Sequence, residues 1–119
     1  MDVILNIGLA REGNSNIGQG TVLREVVATF GMAAITFRHS DTELTCVASV
    51  RADHLDDGVR AKVRFLARLL GHDYIAIYCP SIDKGELIGP RDKKWNTFNR
   101  EFFIMPNGCR LSQLAAQAA

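Results

Sequence analysis

The chain has 119 residues and a formal net charge of +1, with 47% apolar and 23% charged residues, the profile of one ordinary globular domain. A charge so near zero excludes a global field that would draw nucleic acid or an anionic membrane, so any anion site must be local. No apolar run approaches the roughly 20 residues of a membrane span, and the N-terminus MDVILNIGLAREG lacks the basic region and cleavage site of a signal peptide.

Val3, Leu5, Ile7 and Leu9 alternate along residues 3–9, which predicts a first strand. Residues 11–20 (REGNSNIGQG) form a glycine- and asparagine-rich loop. Thr21 opens a helix that Gly31 closes, with Val22, Leu23, Val26, Val27 and Phe30 on one stripe. Residues 33–37 predict a second strand, Asp41–Glu43 a polar turn, and residues 44–50 a third strand carrying Leu44, Cys46, Ala48 and Val50 on one face. The short link makes those two strands a hairpin. A second helix runs from Leu55 to Leu70, capped by Asp53, with Leu55, Val59, Val63, Leu66 and Leu70 buried, and Gly71 ends it. A fourth strand spans 74–79 and stops at Pro80.

The order β-α-β-β-α-β predicts an α+β fold: a ferredoxin-like antiparallel sheet with both helices on one face. Residues 1–80 are its core. Residues 81–112 are a loop and β-hairpin extension, with a short strand at 86–88, a strand at 102–105, a turn at Asn107-Gly108 and a return strand at 109–111. Residues 113–119 are a frayed tail. All 119 residues are read as one domain.

Several patterns bear on chemistry. The loop of residues 13–21 follows a strand and opens a helix, where free N–H groups favour an anion. Gln19 and Gly20 stand where a nucleotide-hydrolysing loop needs lysine and Ser/Thr, so it reads as a connector. Arg60, Arg64 and Arg68 form a ridge four residues apart, which reads as a solvated helix face before it reads as a phosphate site. His39, His54 and His72 have no second ligand at metal spacing, so no metal site is expected. Cys46, Cys79 and Cys109 form no paired motif and read as buried thiols of a reducing compartment.

The richest stretch is GELIGPRDKKWNTFNREFF, residues 85–103. It sets Arg91, Lys93, Lys94 and Arg100 among Trp95, Phe98, Phe102 and Phe103. Aromatic faces stack bases and the cations hold phosphates, while the glycines allow a closing lid. Packing of Trp95 and Phe98 onto the sheet or a second subunit is the competing reading. Phe102 and Phe103 are adjacent, so one should face the core and the other should not.

The strand DYIAIYCP, then GELIGP, then W-x-x-F-N-x-x-F-F and a hairpin with RLS, resembles phage proteins of the first-described Thoeris anti-defence family. The resemblance covers about two-thirds of the chain. It implies a small α+β protein that forms dimers or larger oligomers in the cytoplasm of an infected bacterial host. Such a protein sequesters cyclic ADP-ribose isomers, or related cyclic nucleotides, without cleaving them. On that reading Trp95 and Phe98 stack the base and Asn99 bonds a base edge or ribose. Arg91, Lys93, Arg100 and Arg110 neutralise the pyrophosphate, with Arg24 adding a phosphate contact. No cofactor, membrane or nucleic-acid partner is expected and no enzymatic activity, since no nucleophile or carboxylate set is evident. The rival is a homo-oligomeric interaction module with no small ligand.

Overall fold

A computed structural model describes residues 1–9, 18–39 and 44–113. The strands are β1 (Asp2–Leu9), β2 (Ala33–His39), β3 (Leu44–Arg51), β4 (Ile75–Cys79), β5 (Lys84–Ile88) and β6 (Lys93–Lys94). The helices are α1 (Gln19–Phe30), α2 (Asp57–Leu69) and α3 (Thr97–Phe102), and one 3-10 turn spans Pro80–Ile82. The strands form one antiparallel sheet in the order β2-β3-β1-β4-β5-β6.

Alternation along each strand sorts side chains to two faces. Val3, Leu5, Ile7 and Leu9 meet Cys46, Ala48 and Val50 on the first face, where Val22 and Val26 of α1 and Val63, Leu66 and Ala67 of α2 cover them. Leu23 and Val27, expected in the buried stripe of α1, are instead exposed. The α2 cap is Asp56, whose carboxylate accepts from the Val59 N–H at 3.0 Å, so Asp53 is not the cap and the helix starts two residues later than expected. Asp56 wins because its side chain lies three residues before an N–H left free by the first turn.

The second face is also covered. Ile4, Val47 and Tyr78 pack against Phe103, Met105 and Leu111, with Trp95, Ala76 and Ile104 at the margin. The segment after β6 is therefore a third layer, where a loop and hairpin were expected. β5 extends the sheet through a five-residue pairing with β4. Asn96 caps α3 by accepting from the Asn99 N–H at 2.9 Å, which turns residues 97–102 helical and removes Phe102 from the predicted strand. The hairpin survives only as one bridge, Ile104 to Arg110, closed through Gly108 at φ 89°. The glycine loop between residues 10 and 17, the turn at 41–43 and the tail from 114 lie outside the described residues.

Asn6 anchors the third layer. Its amide N–H donates to the Ile104 carbonyl at 2.9 Å, and its carbonyl accepts from the Ile104 N–H at 2.8 Å. A polar residue on a central strand thus satisfies both backbone groups of a chain laid across the sheet, as buried amides require.

Candidate functional site

On the second face a groove of about 700 Å³ opens between α3, the Ile104 segment, the end of β1 and residues 72–76. That volume falls in the range of small-molecule sites. Phe98, Asn99, Phe102 and Arg110 line it on one side and His72, Asp73 and Tyr74 on another.

The amphipathic turn of α3 builds the aromatic wall. Phe98 is 64% exposed and Phe102 44%, with ring centroids 4.6 Å apart. Phe103, next in sequence, is 3% exposed and belongs to the core, the division expected of adjacent phenylalanines. The Arg110 guanidinium lies 4.9 Å from the Phe102 ring centre, a cation–π contact that holds a positive charge at the groove wall.

Two buried polar atoms in residues lining this groove have no partner. They are Asn99 Oδ1 and His72 Nε2. Burial pushes the His72 pKa down, while a hydrogen bond from the ring to the Gly8 backbone and the charge of Asp73 oppose that shift. With the Gly8 carbonyl accepting one ring N–H, the neutral ring offers Nε2 as a lone-pair acceptor. Unpaired buried acceptors are costly, and a ligand that donates to them recovers that cost.

The other sequence-predicted site residues lie elsewhere. Trp95 stacks on Tyr78 (6.2 Å between ring centres) and meets Phe103 edge-on at 5.3 Å, so its ring packs the sheet and does not line the groove. Arg100 donates to Asp83 at 3.0 Å, and Asp83 also accepts from the Tyr78 hydroxyl. Lys93 sits 5.3 Å above the Tyr74 ring, at the groove's edge. Arg91 is exposed in the turn between β5 and β6. Arg24 is exposed on α1, across the sheet from the groove. The arginine ridge is largely engaged: Arg60 holds Glu86 at 3.0 Å and Arg64 holds Asp92 at 2.7 Å, which pins α2 to β5 and its turn.

Of the residues singled out in the sequence, the structure brings Phe98, Asn99 and Arg110 together on this groove, beside His72, Tyr74 and Asn6, which the sequence did not single out as ligand contacts. In the sequence His72 reads as a helix-end residue after Gly71 with no second ligand at metal spacing. Its place in the groove depends on strand pairing, for which the local sequence carries no signal. Among the described residues no group of three or more metal-binding side chains gathers, and no helix is long and apolar enough to cross a membrane.

Compared with known proteins, the chain matches no family model, no curated protein and no solved structure.

Proposed function

We propose that this protein is a non-enzymatic binding module that captures a flat, amino-bearing, phosphate-containing small molecule in the groove beside α3. The observation that carries the reading is a groove walled by the exposed Phe98 and Phe102 rings, two of whose lining residues, Asn99 and His72, each hold a buried polar atom without a partner, Oδ1 and Nε2. Two acceptors call for a ligand edge that donates N–H groups, and an aminopurine has one. The rings supply a stacking surface, worth roughly 1–3 kcal/mol per base. Arg110, and Lys93 at the rim, supply the charge for phosphate.

The resemblance to Thoeris anti-defence proteins narrows the class to cyclic ADP-ribose isomers or related cyclic nucleotides, sequestered intact in the cytoplasm of an infected bacterium. A ferredoxin-like reading of the first four strands accompanies it. Its support is their order β2-β3-β1-β4 with both long helices on one face; β5 and β6 are additions to that plan.

The test is calorimetric titration with cyclic ADP-ribose, ADP-ribose and ADP, followed by mass spectrometry of the recovered ligand. Saturable binding that Asn99→Ala weakens at least tenfold, with the ligand returned at unchanged mass, is the expected result. No heat with any of the three at millimolar concentration defeats the nucleotide reading. A changed mass defeats the non-enzymatic part.

A further inference from the structure

Two of the residues lining the groove carry a full charge at neutral pH, and they stand on different walls. Arg110 lies on the α3 side, against the Phe102 ring. Asp73 lies on the other, between His72 and Tyr74. Phosphate gives Arg110 a role and leaves the acid without one. A carboxylate set beside phosphate would weaken capture, because like charges repel.

The Asp73 side chain is exposed, and none of the ion pairs among the described residues engages it. Its backbone is nonetheless pinned on both sides. The preceding His72 N–H donates to the Ala67 carbonyl at 2.8 Å, which closes the end of α2. The Asp73 carbonyl lies so close on Gly89 that no Cβ fits there. Gly89 is held in turn by Asp92, which accepts its N–H at 3.1 Å, and by Arg64, which donates to its carbonyl at 3.3 Å. Two residues on, Ile75 starts β4 and pairs with Ile88. A carboxylate on so fixed a backbone is an acceptor in place before a ligand arrives.

We infer, resting on the nucleotide reading of the same groove, that Asp73 recognises the sugar: it accepts hydrogen bonds from a ribose whose 2′ and 3′ hydroxyls are both free. The contacts proposed above serve the amino edge, the ring face and the phosphate of the ligand. The ribose joins those parts and carries two adjacent O–H donors. An ionised carboxylate only accepts, and has two oxygens to do so, which suits that pair. Hydrogen bonds to an ionised acceptor are also the stronger kind. In dinucleotide folds an acidic side chain binds the free 2′-hydroxyl, and an arginine is needed where that hydroxyl is phosphorylated. Asp73 thus acts in two directions, drawing the free diol and rejecting a sugar that bears a phosphate.

Calorimetric titration with ADP, 2′,3′-dideoxy-ADP and ADP carrying a 2′-phosphate tests this. Work at about pH 8 keeps His72 neutral, since its folded pKa lies below the ordinary 6.5. The wild type should bind ADP about tenfold more tightly than either analogue, because a site built for hydroxyls penalises a ligand that lacks or masks them. Asp73→Asn should lose about tenfold for ADP, hold dideoxy-ADP within about threefold and bind the 2′-phosphate form more tightly than the wild type does. Equal affinity of the wild type for all three overturns the inference and leaves the groove reading standing. A preference for the diol that Asp73→Asn leaves unchanged does the same. No binding of ADP by the wild type defeats both. If Asp73→Asn does not fold, the wild type's ranking of the three nucleotides still decides.

Discussion

The indole of Trp95 lies flat on Gly85, so closely that no Cβ fits between them. The register explains the contact. Glu86 pairs with Lys94, so continuing the ladder by one residue sets Trp95 directly opposite Gly85. Tyr78 pairs with Gly85 from the other side and stacks on the same indole. The glycine gives up its side chain so that two aromatics can share its space, a cross-strand device that restores packing where a strand glycine would otherwise weaken the sheet.

Gly85→Ala should therefore destabilise the fold by about 1–3 kcal/mol, the usual cost of overpacking a filled site. Indole fluorescence of the folded state should shift as Trp95 is displaced. Because the clash is with one side chain, the double variant Gly85→Ala/Trp95→Ala should be more stable than the sum of the two single losses predicts. Denaturant titrations of all four proteins check this, and strict additivity would show that the contact is not the cause.

Trp95 and Phe98, assigned one role from sequence, should separate cleanly. Trp95→Ala removes a half-buried packing residue and should cost about 2 kcal/mol, less than the roughly 3–5 of a fully buried tryptophan. Phe98→Ala removes an exposed ring and should leave stability within about 0.5 kcal/mol of wild type, yet weaken nucleotide binding at least tenfold. Thermal melts and calorimetric titration of both variants decide the matter. If Trp95→Ala abolishes binding at unchanged stability, the stacking role returns to the tryptophan.

These two residues also mark how far the sequence could be read. Alternation in β1 and β3 and the helical spacing in α2 fixed the first face, because burial there depends on period alone. The segment from 81 onward has no long period. Its form follows from pairings that sequence does not display: the Asn96 cap, the Asn6 clasp on Ile104 and the Gly85–Trp95 match. Clustering of rings and cations was legible, and part of that cluster lines the groove. Which ring faces the groove was not, since Trp95 and Phe98 differ only in which lands over a glycine. His72 was unreadable as a groove residue, because the groove that it lines joins four segments distant in sequence.

Asp83 ties the third layer to the sheet. It holds a left-handed backbone at φ 48° and accepts from both the Tyr78 hydroxyl and Arg100 of α3. The Tyr78 hydrogen bond first, and Arg100 second, pull its pKa below the ordinary 3.8. A carboxylate with a depressed folded pKa stabilises above its unfolded value and loses that contribution as the pH falls through the folded one. The protection of the Phe103 amide, bonded to the Asn99 carbonyl, relative to the intrinsic exchange rate at each pH, should thus fall only below pH 3.8. Asp83→Ala should give the faster exchange already at pH 7. Unchanged protection in that variant would mean that α3 is held by Phe103 packing alone.

His72 should make both stability and capture depend on pH. Burial lowers its folded pKa from the ordinary 6.5, so the unfolded chain takes up a proton more readily than the folded one. Stability is then fully present above pH 6.5 and falls as the pH drops from there towards the lower folded value, where the curve flattens again. The opposite sign would need a raised pKa, which Gly8 and Asp73 favour but do not achieve. Protonation also turns Nε2 from acceptor to donor, removing one of the two acceptors on which the proposed ligand contact rests. Affinity should accordingly fall as the pH drops through the lowered folded value and below it. Urea midpoints and calorimetric affinities at pH 7.5 and 5.0, for wild type and His72→Gln, separate this from the titration of surface carboxylates. The wild type should lose more stability and more affinity than His72→Gln on acidification. Equal losses in the two proteins would remove His72 from both the stability argument and the site.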